Sequence, residues 1–142
     1  TPTITPTPVS TYTPTPTPLP TPTPTIPFAF SAPKPVFPEE GTWFHGRDTI
    51  VELKWEPPGE LGPNQAYMVI IKYKEGGELK EFRQVVEKPG WVVPASFFHG
   101  KADQPDRTYE WQVQVIYLLK QGDREGFIPL SPLSEVRTFH WD

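Results

Sequence analysis

Cysteine is absent from the 142-residue sequence, which excludes disulfide staples and thiolate metal sites and leaves one hydrophobic core to supply stability. The only asparagine, Asn64, precedes Gln65 and Ala66, so no N-glycosylation sequon exists. No apolar run approaches the roughly 18 residues that span a bilayer, and no glycine-rich phosphate loop occurs. Positive charge is also short: 13 Lys and Arg stand against 17 Asp and Glu, for a formal net charge of −4. That balance lacks the basic footprint of a nucleic-acid binder and offers an anionic membrane nothing to attract. The sequence opens on Thr1 rather than Met. The expectation is a soluble chain, processed or excised, that neither binds nucleic acid nor inserts into a membrane.

Proline is what the sequence has in excess. Its 21 residues are about three times the usual share of roughly 5% and cannot be spread evenly through a packed core. They divide the chain into a low-complexity tail, residues 1–32, and a candidate domain, residues 33–142. The tail carries no Asp, Glu, Lys, Arg or His, so every formal charge falls between Lys34 and Asp142. From Thr1 to Thr25 each Pro occupies an even position and each Thr an odd one, and Ile4, Val9, Ser10, Tyr12 and Leu19 interrupt the repeat without shifting its frame. Ile26 follows, and Pro27 ends the alternation. Each Pro removes a donor and turns its predecessor away from the α region, so the repeat predicts an extended, polyproline-II or strand-like stalk. At about 3.1 Å per residue such a stalk spans roughly 80 Å.

Two properties of the tail bear on function. Thr/Ser-rich sequence with Pro has the composition of O-glycosylated stalks, which makes Thr1, Thr3, Thr5, Thr7, Ser10, Thr11, Thr13, Thr15, Thr17, Thr21, Thr23 and Thr25 candidate acceptors of covalent glycans. An unmodified linker is the alternative reading of the same composition. The dyad frame also places every missing N–H on one edge of an extended strand, which suits the tail to be an outermost strand on a neighbouring sheet. Its apolar guests Ile4, Val9, Tyr12, Leu19 and Ile26 then become candidates for self-association. Low-complexity sequence can equally drift into dyads with no pairing role.

Beyond the tail the dominant period is two, and no amphipathic helix stands out. An edge strand is predicted at residues 32–37, where Pro33, Pro35 and Pro38 exclude a central position. Val51, Leu53 and Trp55 alternate with Glu52, Lys54 and Glu56. Tyr67, Val69, Ile71 and Tyr73 alternate inward before a turn at Glu75, Gly76 and Gly77. A polar strand at 78–87 leads to WVVPASFF, read as a further short strand. Tyr109, Trp111, Val113, Val115 and Tyr117 form the clearest inward row, and a loop containing Gly126, Pro129 and Pro132 separates it from a last strand with Phe139 and Trp141 inside. Seven short strands of this kind predict an all-β, two-sheet sandwich of the immunoglobulin-like class.

The sequence also resembles a known family. Leu53 to Trp55 (LKW), the YMV beginning at Tyr67, and PDRTYEWQVQV from Pro105 to Val115 resemble a fibronectin type III-like domain, and the SPLSEVRTFHW ending is similar to the last strand of bacterial members that follow Thr-Pro linkers in secreted or surface proteins. The resemblance implies a seven-stranded sandwich over residues 33–141 and a tyrosine corner at Tyr109, whose phenol bonds back to nearby backbone. The first connection, FPEEGTWFHGRDT, and the last, containing FIPLSPL, are longer than the pattern. No Arg-Gly-Asp occurs, so integrin-type adhesion is not implied.

Catalytic chemistry finds little support. His45, His99 and His140 are isolated, Asp103 and Asp106 read as turn formers, and Glu39–Glu40 or Glu75–Glu78 are neighbours with no reason to separate their pKa values. The expectation is a non-enzyme without cofactor or metal. A binding surface is easier to argue: Met68 and Ile70, with Ile116 and Leu118 on an adjacent strand, form an apolar stripe on the face opposite the core, which Phe127 and Ile128 could extend. The stripe is expected to receive the tail, or the Phe28 and Phe30 segment, of another copy, unless the long last loop folds over it. Trp43 and Trp91 are the candidate rings for a weak carbohydrate-binding role. The combined expectation is a secreted or cell-surface structural protein that polymerises head to tail, with a spacer stalk of a larger surface protein as the alternative.

Overall fold

The computed structural model describes residues 2–7, 28–121 and 124–142. In chain order the strands are β1 (Lys34–Phe37), β2 (Thr42–Phe44), β3 (Glu52–Glu56), β4 (Gln65–Glu75), β5 (Glu78–Val86), β6 (Gly90–Val92), β7 (Thr108–Gln121), β8 (Arg124–Pro129) and β9 (Arg137–Trp141). A single helical turn, α1 (Ala95–Phe98), follows β6. One sheet has the order β1-β3-β6 and the other β2-β9-β7-β4-β5, with β8 also paired to β7. All pairings are antiparallel except the short parallel contact of β2 with β9. The described residues form a two-sheet, immunoglobulin-like β-sandwich, all-β but for one turn.

Period-two alternation builds the core. Leu53 and Trp55 of β3 face Tyr67, Val69 and Ile71 of β4, the odd residues Tyr109 to Val115 of β7, and Phe139 and Trp141 of β9. Trp55 meets Tyr67 edge-on at 5.4 Å and Trp111 at a tilt at 6.3 Å, geometries that aromatic quadrupoles favour. The tyrosine corner is present. The Tyr109 hydroxyl donates to the Phe98 carbonyl and accepts from the Lys101 and Ala102 N–H groups, each at 3.1 Å. Burial raises the Tyr109 pKa, and those two N–H donors oppose the shift.

Four details depart from the sequence reading. The described residues form nine strands rather than seven. β2 arises within the long first connection because Gly41 and Glu40 both engage Thr138 of β9, through N–H to carbonyl at 2.8 Å and through the Glu40 carboxylate to the Thr138 N–H at 3.0 Å. The last loop contains β8, a hairpin partner of β7 whose six residues are all exposed and therefore carry no alternation to read. WVVPASFF is not one strand: Pro94 ends β6 and opens α1, whose Phe98 plugs the core.

Between β8 and β9 the backbone stays pinned to β7. Leu130 and Ser134 donate their N–H groups to the carbonyls of Val115 and Val113 at 2.8 and 2.9 Å. The buried hydroxyls of Ser131 and Ser134 accept from the Val115 and Val113 N–H groups, both at 2.9 Å. At the opposite seam, Arg137 donates to the carbonyls of Pro35 and Pro38 at 2.9 and 3.4 Å and ties β1 to the larger sheet.

Chain direction matters for function. Phe30 donates its N–H to Leu130, beside Val115, and its ring occupies space left by Gly59. Trp141 donates to Arg107 at the start of β7. The polypeptide therefore joins the sandwich at one pole and reaches residue 141 at the other, roughly 26 Å away along β7.

Candidate functional site

The longest open backbone edge among the described residues belongs to β5. Gly76 and Gly77, with φ of 61° and 81°, make the two-residue type I′ turn that matches strand twist, and this pairs Glu75 with Glu78 and runs the register on to Tyr67 opposite Val86. Asp103 braces the turn, its carboxylate accepting from the Gly76 and Gly77 N–H groups at 2.6 and 2.8 Å. The Gly77 and then the Gly76 bond hold its pKa below the usual value, with help from the Arg107 and Lys74 charges. In a two-residue hairpin the flanking pair is hydrogen-bonded, so Glu78, Lys80, Phe82, Gln84 and Val86 bond to β4. Leu79, Glu81, Arg83 and Val85 turn their N–H and C=O groups to the free side. Lys80–Glu78 and Arg83–Glu81 contacts at 3.4 and 3.0 Å supply the charges that commonly guard an edge, and as exposed pairs they add little stability.

The other edges are poorer. β2 and β6 have three residues each. β1 has four, includes Pro35, and lends that residue's carbonyl to Arg137. β8 has six and ends in Pro129, which has no donor.

The predicted apolar stripe is not open. Met68, Ile70 and Ile116 do lie on the outer face of the larger sheet, yet with Ala66 they form a second buried cluster, against which Leu118 packs partly buried. The cover comes from side chains of the sheet itself. Arg83 lies opposite Ile70 on β5, and Phe127 opposite Leu118 on β8; the guanidinium carbon sits 5.9 Å from the Phe127 ring centroid, so the two meet across the outer face. Gln112 and Gln114 are drawn to the Ser134 and Ser131 carbonyls, both at 2.9 Å. Of the predicted last loop, Leu130 to Ser134 thus runs along β7, and Phe127 contributes to the cover. Phe127 and Ile128 are 37% and 47% exposed. Phe28 is exposed, whereas Phe30 packs against the main core and is not a free ligand.

In the tail, Ile4 is 91% exposed, and Thr3, Thr5 and Thr7 are exposed in no strand. Val9, Tyr12, Leu19 and Ile26 lie outside the described residues, as do Thr1, Ser10, Thr11, Thr13, Thr15, Thr17, Thr21, Thr23 and Thr25.

The three histidines, scattered in sequence, converge on the last strand. His45 Nδ1 pairs with the Asp142 carboxylate at 2.5 Å, His99 Nε2 meets the Asp142 carbonyl at 2.9 Å, and His140 Nδ1 lies 3.1 Å from the Thr108 hydroxyl. Among the described residues no group of three His, Cys, Asp or Glu is placed to hold a metal ion. Trp43 is exposed and stacks on His140 at 4.3 Å, and Trp91 is half-buried with its edge to Phe98. Among the same residues no helix is long and apolar enough to cross a membrane.

No family model and no curated protein sequence matches the chain. Among solved structures, the chain is similar to the solution structure of the fibronectin type-III domain of human fibronectin type III domain containing protein 3, at 16% identity and a TM-score of 0.40, over 85% of this chain and 92% of that one.

Proposed function

We propose that the chain is a non-enzymatic structural protein of the cell exterior, a subunit of a surface fibre whose Thr-Pro tail docks on the sandwich of a neighbouring copy. The observation that carries this reading is the frame of the repeat. From Thr13 to Thr25 every even residue is Pro and every odd residue keeps its N–H, so an extended tail has one edge able to pair and one that is not. A tail on one copy and an acceptor on the next make a head-to-tail contact that does not close, and such contacts propagate as filaments. Sugars on the Thr hydroxyls would coat the fibre.

Electron microscopy of native material beside proteins starting at Thr1 and at Phe28 tests the reading. Filaments are expected from the first two samples and absent from the third. Native mass above 16.2 kDa by sugar-sized steps is expected from glycosylation, and a native mass equal to 16.2 kDa removes the glycans from the account. A second reading rests on the opposite poles at which the chain joins and leaves the sandwich: in-line geometry suits a spacer that holds another domain away from a surface. Monodisperse particles in all three samples favour that spacer.

A further inference from the structure

We infer that the free edge of β5 is the acceptor, and that its occupant is the Thr-Pro repeat of a second copy added as one antiparallel strand. This rests on the docking reading above and names its partner surface. The outward groups of Leu79, Glu81, Arg83 and Val85 recur every second residue, as do the donors of the repeat. In an antiparallel ladder, hydrogen-bonded pairs also recur every second residue. Leu19, Thr17, Thr15 and Thr13 set opposite those four residues therefore exchange two bonds per pair, and the Pro residues fall at positions whose N–H would point away from β5. Nothing is lost at the prolines, and the outer side of the added strand has no donors with which to recruit another. The docked tail closes the edge and stops the sheet growing, which fixes one tail per sandwich.

Length selects this edge over the rest, since β5 turns four N–H groups outward whereas β2 and β6 are three residues long and β8 ends in proline. The tail brings no charge to bury, and the Glu81 and Arg83 side chains stand on the outer face, clear of the ladder plane. Among the described residues only the Val85 carbonyl is occupied, by the Gln84 amide at 3.1 Å, an exposed contact that is readily exchanged. Residues 2–7 of the same chain are exposed and belong to no strand, which favours a tail from another copy.

The chain has no cysteine, so introduced thiols report without background. Full-length Glu81→Cys is mixed with full-length Thr17→Cys under mild oxidation, and a covalent heterodimer is expected in at least about tenfold excess over a Phe127→Cys plus Thr17→Cys control, because hydrogen-bonded pairs sit at disulfide distance. Leu79→Pro with Glu81→Pro removes two outward donors and leaves the bonds to β4 and the Arg83 cover intact; association is expected to weaken about thirtyfold with the unfolding midpoint little changed. Filaments that survive this double substitution, or a tail thiol captured by the Phe127→Cys protein in preference to the Glu81→Cys protein, overturn the β5 assignment and leave the fibre reading standing. An unsubstituted protein that never assembles overturns both. Should the proline variant fail to fold, the thiol pair decides alone.

Discussion

The tail and the sandwich both repeat every two residues, and the repeat does different work in each. In β7 it sorts side chains by face: Trp111, Val113 and Val115 go to the core, and Gln112 and Gln114 go outward. In an extended tail it would sort backbone donors by edge, because from Thr13 to Thr25 every second residue is proline. The first kind of dyad stabilises a fold through burial and needs no partner. The second buries nothing alone and has value only when another backbone lies alongside. On the proposed reading, stability and association fall to different stretches of one chain and are open to separate perturbation.

The largest separation should come from Trp111→Ala, which removes a fully buried ring between the sheets. A loss of about 3–5 kcal/mol is expected from urea unfolding, with tail docking lost only as the fold is lost. Tyr109→Phe keeps the ring and deletes one oxygen, taking its partner from the Ala102 N–H while the Lys101 N–H keeps the Phe98 carbonyl at 3.1 Å; a loss of about 1–2 kcal/mol is expected.

Asp103→Ala acts more weakly and with a pH signature. The folded pKa of this carboxylate is depressed, so its contribution is present above the ordinary value of 3.8 and fades as pH falls below that value through the folded pKa. Wild type and variant should differ in thermal midpoint at neutral pH and converge in acid. Because Asp103 sets the hairpin that presents the β5 edge, the variant should also show lower association near neutrality. Smallest of all is the effect of removing residues 1–27 on stability: within about 0.5 kcal/mol of zero by chemical denaturation, beside a complete loss of assembly. A large destabilisation there would mean that the tail belongs to the sandwich and would dissolve the contrast.

Alternation carried much of the fold. The inward rows of β3, β4, β7 and β9 and the turn at Gly76 and Gly77 could be read from residues, since each is a local pattern imposed by one sheet face or one turn, and the Tyr109 corner followed from the family resemblance. What escaped depended on distant partners. β2 exists because Thr138 lies nearly a hundred positions away in sequence, and three residues of TWF hold no period. β8 contains Gly126 and ends in Pro129, which read as loop until β7 is alongside.

The candidate site divides the same way. The one-edged tail is visible in Thr and Pro alone, whereas the open flank of β5 follows from strand order, which a polar run such as ELKEFRQVV does not announce. The apolar stripe was placed on the correct face with its exposure left open, because the reach of Arg83 to Phe127 spans strands adjacent only in space.

Ser131 and Ser134 carry a consequence of another kind. Their hydroxyls finish the flank of β7 at Val113 and Val115 before β8 begins, so the hairpin beyond is hemmed off from the body of the protein. Trimming or lengthening the hairpin beyond Leu118 need not unravel the cloth behind it, whereas Ile116, Phe127 and Leu130 are stitched into that cloth by burial and by contact.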